Sequence, residues 1–178
     1  MQISKPNSYR VLNVPSIDFS EMESVLYRDF GTNSVREDNF QAHVDTQSVV
    51  IKFTKNFDVM EGYALGAYDE LFPYIEHILS SIAKEYGYED MRVLRMLFVR
   101  LGSGGYIPPH PDNGVSFHCT HRIHYALKTN KDVSFIVNGE ELPFMEHPCI
   151  EINNLKPRSV KNSSNEDRIH LIMDIYNG

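Results

Sequence analysis

Apolar residues recur at two different periods along this chain, and the change of period falls near residue 90. Within DFSEMESVLYRDF, residues 18–30, Phe19, Met22, Val25, Leu26 and Phe30 fall at three- and four-residue steps. That spacing predicts a short amphipathic helix packed on a larger body. QSVVIKFT, residues 47–54, is a β-branched run and predicts a strand. Residues 68–86 predict the longest helix, with Leu71, Ile75, Ile78, Ile82 and Tyr86 on one face, Pro73 near its start and Gly87 as its stop. From Arg92 onward, short β-like runs at 92–101, 117–127, 133–137, 149–153 and 168–176 are separated by GSGG, PDNG, TNKD and NSSNED. Helices first and strands afterwards argue for a mainly β fold with flanking helices, a sandwich or barrel of short strands rather than alternating βαβ units. One domain is expected over residues 1–178, with 1–91 as a mixed helix and strand buttress and 92–176 as the β core.

Composition adds mainly exclusions. The 178 residues are 42% hydrophobic and 23% charged, as in an ordinary globular chain. The formal charge of −7 leaves no electropositive footprint for a phosphate backbone, so no nucleic-acid partner is expected. No run approaches the roughly 18 apolar residues that span a bilayer, and MQISKPNSYR has no leader-like apolar stretch, so no membrane association and a cytoplasmic location are expected. Cys119 and Cys149 make no disulfide framework and read as two reduced thiols.

The chemistry concentrates in IPPHPDNGVSFHCTHRIH, residues 107–124, which holds four histidines and one aspartate. On an extended chain residues i and i+2 point the same way, so His110 and Asp112 can bring an imidazole nitrogen and a carboxylate oxygen onto one cation. Gly104-Gly105 permits close backbone approach, and Pro108-Pro109 stiffens the chain just before the pair. If 117–127 is one strand, parity places His118, Arg122 and His124 on one side and His121 and Ile123 on the other. Four histidines then cannot serve one site, and His118 and His121 read better as surface or hydrogen-bonded residues. Arg122 and His124 on one face would form an anion pocket, the arginine supplying a bidentate fork for a carboxylate. In RIHLIMD, residues 168–174, Arg168 and His170 share a face, with Met173 grouped beside them and Asp174 grouped with Ile169 and Leu171. Arginines aimed into one sandwich need anions, either acidic side chains or a dicarboxylate ligand.

These motifs, in this order, resemble the aspartyl/asparaginyl β-hydroxylase branch of the Fe(II)- and 2-oxoglutarate-dependent dioxygenases. The likeness runs through Arg100-Leu101, Gly104, Ile107, Pro109, His110 and Asp112, then Arg122, His124 and Leu127. It continues through Asn153-Asn154, Ser159-Val160, Asn162, Arg168, His170, Leu171, Ile172 and Asp174, and AHVDTQSVVIKF at 42–53 is similar to the family's N-terminal strand. The resemblance implies a double-stranded β-helix of jelly-roll, cupin-like type. It implies His110 and Asp112 as iron ligands and Arg122, His124, Arg168 and His170 around 2-oxoglutarate. It further implies O₂ as co-substrate and hydroxylation of an amino acid or of an Asp or Asn side chain in a small-molecule or peptide substrate. Where the family carries its distal histidine ligand, in NNLKPRSVKN, this chain has Arg158, whose guanidinium offers no lone pair to a metal. A second reading therefore stands beside the oxygenase: the same frame as a metal-free carboxylate-binding or regulatory module.

Overall fold

The β-branched and aromatic runs pair into two antiparallel sheets. In this computed structural model, which describes residues 2–31 and 45–178, the elements in order are β1 (Tyr9–Val11), α1 (Ser20–Asp29), β2 (Thr46–Thr54), β3 (Gly62–Ala64), α2 (Tyr68–Tyr86), β4 (Met91–Leu101), β5 (Tyr106–His110), α3 (Val115–His118), β6 (His121–Lys128), β7 (Val133–Val137), β8 (Glu140–Glu141), β9 (Cys149–Ile152), β10 (Arg158–Asn162) and β11 (Arg168–Asn177). The larger sheet has the order β1-β9-β6-β11-β4-β2-β3 and the smaller the order β5-β10-β7-β8. Leu101, Ile150 and Ile152 of the larger sheet join Ile107, Phe135, Val137 and Val160 of the smaller in one apolar cluster, so the two sheets pack face to face. This is the mainly β, jelly-roll architecture expected from the strand spacing and the family likeness.

The other face of the larger sheet carries the helices. Helix α2 buries Leu71, Ile75, Ile78, Leu79 and Ile82, and α1 buries Met22 and Leu26, against Met96, Phe98, Ile123, Tyr125, Leu171 and Met173 of the sheet. The apolar spacing at 68–86 thus forms one continuous helix. Pro73 lies inside it, where its ring removes one helical hydrogen bond. Gly87 ends it in the left-handed region at φ 66°, and the Tyr88 N–H donates back to the Ala83 carbonyl in a Schellman closure. Residues before 91 supply β1, β2 and β3 of the larger sheet, and β2 is hydrogen-bonded along β4. Of the stretch 42–53, residues 42–44 lie outside the described residues. No helix among the described residues is long and apolar enough to cross a membrane.

Three details depart from the periodic reading, each for a physical reason. Residues 117–127 are not one strand: α3 occupies 115–118, and β6 starts at His121. Gly114, at φ 129°, turns the chain into α3, where the Ser116 N–H and Oγ both donate to the Phe57 carbonyl. Along β11, Met173 points to the helices and Asp174 to the space between the sheets, the reverse of the grouping expected from the sequence. β5, YIPPH, contains two prolines and yet pairs, because it lies at the edge of its sheet and bonds one neighbour only.

A Cβ at Gly114 would lie 2.6 Å from Phe57 Cβ and 2.9 Å from Phe57 O, at a φ that an L side chain rarely adopts. Gly114→Ala should destabilise the protein by more than about 1 kcal/mol, read as a lowered urea midpoint with an unchanged slope.

Candidate functional site

Strand β11 organises the space between the sheets because it runs between β6 and β4. Its even positions, Arg168, His170, Ile172 and Asp174, face the smaller sheet, while Leu171, Met173 and Ile175 enter the helix-side core. Register then does the placing: Asp174 lies opposite Arg95 on β4 and opposite Arg122 on β6. Arg95 Nε donates to Asp174 Oδ2 at 2.5 Å, and Arg122 donates through Nε and Nη2 to both carboxylate oxygens at 2.7 Å. The Phe117 ring, delivered by α3, lies 4.1 Å from the Arg95 guanidinium carbon and 4.8 Å from that of Arg122, and so keeps two like charges side by side.

The network extends to the loop after β5. Arg122 Nη1 donates to Asp112 Oδ2 and Arg158 Nη2 to Asp112 Oδ1, both at 2.6 Å. The Asn154 carbonyl accepts from the Asp112 N–H at 2.8 Å and from Arg158 Nη1 at 3.2 Å. Its side-chain oxygen accepts from Lys5 Nζ at 2.6 Å, and Lys5 also donates to the Thr120 carbonyl. Three guanidinia, of Arg95, Arg122 and Arg158, thus share two carboxylates, Asp112 and Asp174. Burial pushes both carboxyls up, but the flanking arginines outweigh it and hold each below the usual carboxylate range. Burial likewise lowers Lys5 to about 8.

Of the residues singled out in the sequence, His110, Arg122, His124 and Arg168 line one cavity together with Arg158 and Phe135. The cavity measures about 20 Å³, room for about one water molecule. Asp112 bonds two of these arginines without lining the cavity, and His170 contributes to a separate cleft. His118 is exposed on α3, and His121 is buried on the helix side, bonded to Glu151 at 2.6 Å and Tyr88 at 2.8 Å. Sequence reasoning missed Arg95, Lys5 and Asn154 as parts of the network. Arg95 carried a usable signal: a charge on the same strand face as Leu97 and Val99 must be answered by a buried acid. Lys5 carried none, and Asn154 stood in the family-like Asn153-Asn154 pair with no sign of its partners.

Iron can be tested against these side chains. The three expected positions do converge, since Arg158 on β10 is the Cα partner of His110 on β5 and its tip reaches Asp112. Yet Arg158 has no lone pair, and each Asp112 oxygen already accepts from a guanidinium. Among the described residues no three His, Cys, Asp or Glu side chains are placed to hold a metal ion. The residues present therefore do not fit an Fe(II) ion held by a triad of protein ligands.

Because the arginines hold Asp112 and Asp174 below their ordinary range, the stability they contribute is complete well above about pH 4, the value of an unperturbed aspartate, and is lost progressively as the pH falls from there towards their lowered native-state values. Urea unfolding at pH 7, 4 and 3 should show this decline. Asp174→Asn, which leaves two buried guanidinia short of a carboxylate, should cost about 3–5 kcal/mol at pH 7 and flatten the dependence.

Comparison with known proteins places this geometry in a family. The chain resembles solved structures at low identity, which shows the fold. An oxidoreductase of the 2OG-Fe(II) oxygenase family from Burkholderia pseudomallei matches at TM-score 0.59 with 11% identity, over 89% of this chain and 77% of that one. A viral collagen prolyl hydroxylase from Paramecium bursaria chlorella virus-1, in complex with 2OG, matches at 0.59 with 8% identity over 97% of both chains. A Pseudomonas putida prolyl-4-hydroxylase matches at 0.54 with 12% identity, over 96% and 92%. No curated protein sequence matches the chain. The family model for aspartyl/asparaginyl β-hydroxylases matches residues 33–177, and the chain belongs to that family.

Proposed function

We propose that this chain binds a small dicarboxylate of the 2-oxoglutarate class on the frame of a 2OG-Fe(II) hydroxylase family, with the Arg158 guanidinium in the place of the metal ion. The observation that carries the reading is the Arg158–Asp112 ion pair, 2.6 Å long, across the strand partner of His110. A fixed cation there neutralises Asp112, as a metal would, without offering coordination positions to a ketoacid or to O₂. The network of three guanidinia on two carboxylates keeps one positive charge over, beside a cavity also lined by Arg168 and His124. A buried surplus of that sign favours an anionic ligand, and planar forks suit carboxylates. Since the cavity holds about one water molecule, the ligand enters by drawing Arg122 or Arg158 away from Asp112, one carboxylate exchanging for another. Binding and loosening of the internal ion pairs are then one event.

One observation favours a hydroxylating alternative. The His110 Nδ1–H donates to the Pro108 carbonyl at 2.8 Å, which leaves Nε2 as the nitrogen carrying the lone pair, the tautomer a metal ligand needs. With Arg158 turned out, His110 and Asp112 would remain for Fe(II), with 2-oxoglutarate and O₂ as co-substrates and an amino acid or an Asp or Asn side chain as substrate.

Calorimetric titration with 2-oxoglutarate in excess chelator separates the two. The metal-free reading expects saturable binding that Arg168→Ala weakens by about tenfold or more. It also expects no succinate when Fe(II) and air are supplied, and Arg158→His should create an Fe(II) site visible as a charge-transfer band with bound 2-oxoglutarate. Binding that requires Fe(II), or succinate from the unmodified chain, establishes the hydroxylase instead.

A further inference from the structure

A cleft of about 340 Å³ is lined by residues between 129 and 146 and by His170. Its walls include Phe135, Leu142, Phe144 and His170, and Met145 is exposed beside it. This volume falls in the range of small-molecule pockets, and the lining mixes these apolar side chains with Thr129, Asn130, Lys131, Glu141 and Glu146. The cavity of the proposed dicarboxylate site shares only the Phe135 ring with it.

The chemistry of the cleft turns on the two nitrogens of His170. Arg168 Nη2 lies 2.6 Å from His170 Nδ1, and a guanidinium only donates, so Nδ1 accepts. The neutral ring therefore carries its proton on Nε2. Burial first, then the charges of Arg168 and His124, lower the pKa of His170 well below the usual imidazole range, so the ring stays neutral. Nε2–H is a buried donor with no partner among the described residues, in a side chain that is 1% exposed. Such a group costs free energy unless something accepts from it. The Phe144 ring stands edge-on to the imidazole with centroids 4.5 Å apart. Both rings line the cleft.

We infer that this cleft is a second ligand site, which takes a small uncharged molecule with an aromatic or compact apolar body and a carbonyl or hydroxyl oxygen that accepts from His170 Nε2–H. Charge at the rim selects against anions: exposed Glu141 and Glu146 outnumber exposed Lys131 there. The two ligand classes are thereby separated, anions to the arginine cavity and neutral acceptors to this cleft. A ligand accepting from Nε2–H also makes Nδ1 a better acceptor for Arg168, so occupancy of the cleft steadies one wall of the arginine cavity through a single hydrogen bond. This inference rests on the cleft alone and stands whether or not a dicarboxylate binds.

The test uses the whole protein and three probes of similar ring: acetophenone, toluene and benzoate. Histidine side-chain ¹H–¹⁵N spectra follow the His170 ring, and a thermal-shift series follows binding independently. Acetophenone should saturate, move the His170 Nε2 resonance and raise the melting temperature. Toluene, which has no acceptor, should bind several-fold more weakly, as loss of one neutral hydrogen bond requires, and benzoate should bind more weakly than acetophenone. Thr129→Trp, at the wall of the cleft, should abolish the acetophenone response. An unmoved His170 resonance with every probe, equal affinity for toluene and acetophenone, or an undiminished response in a folded Thr129→Trp variant would overturn the assignment. Should that variant not fold, the comparison of the three probes on the unmodified protein decides alone.

Discussion

The site depends on one carboxylate, Asp174, held between two arginines by the register of three neighbouring strands. Arg122, Asp174 and Arg95 stand in a row across β6, β11 and β4, so their contact follows from strand pairing rather than from flexible side chains finding one another. The arrangement is expensive to bury and tolerable only because every carboxylate oxygen in it accepts from a guanidinium and Phe117 covers two of the cations. With Arg122 fixed in this way, its remaining nitrogen is committed to Asp112, and Asp112 in turn to Arg158. The position of the residue that stands where a metal ligand is expected is therefore set by a chain of ion pairs anchored on β11.

That chain explains how a frame typical of iron-dependent hydroxylases can be stable with a guanidinium in the metal's place. A divalent ion in such a site neutralises a carboxylate and ties neighbouring strands together. Arg158 performs both tasks, since from β10 it neutralises Asp112 in the loop that follows the neighbouring strand β5. What a guanidinium cannot do is accept ligands. Under the proposed reading the architecture stands without coordination chemistry, and the arginine surplus suits carboxylates.

The sequence made much of this legible, and the failures are local. Long apolar periodicity marked α2 to its first and last residues, and the β-branched runs marked β2, β4, β7 and β11 to within a residue or two. The i, i+2 spacing of Arg122 with His124 put both at one cavity. Applied strictly from Arg168, the same rule also places Asp174 on the Arg168 and His170 face, where it is found; the grouping with Ile169 and Leu171 is wrong because it leaves that alternation. The rule itself failed at 117–120, where a glycine with positive φ and a hydroxyl bonded to a distant carbonyl make a helical turn that no periodicity marks. Lys5 and Asn154 are brought together by the tertiary path of the chain, and nothing local in either segment announces it.

β11 comes last in sequence among the described strands and yet lies between β6 and β4 in the larger sheet. During synthesis, β4 and β6 therefore emerge with open edges facing each other and no strand to fill the gap. Arg95 and Arg122 meanwhile emerge without their carboxylate. Neither sheet closure nor desolvation of the arginines is favourable until residues 168–177 arrive. The β2–β4 and β6–β9 halves of the larger sheet therefore join only through β11, and pairing of that one strand and neutralisation of the two arginines are a single event.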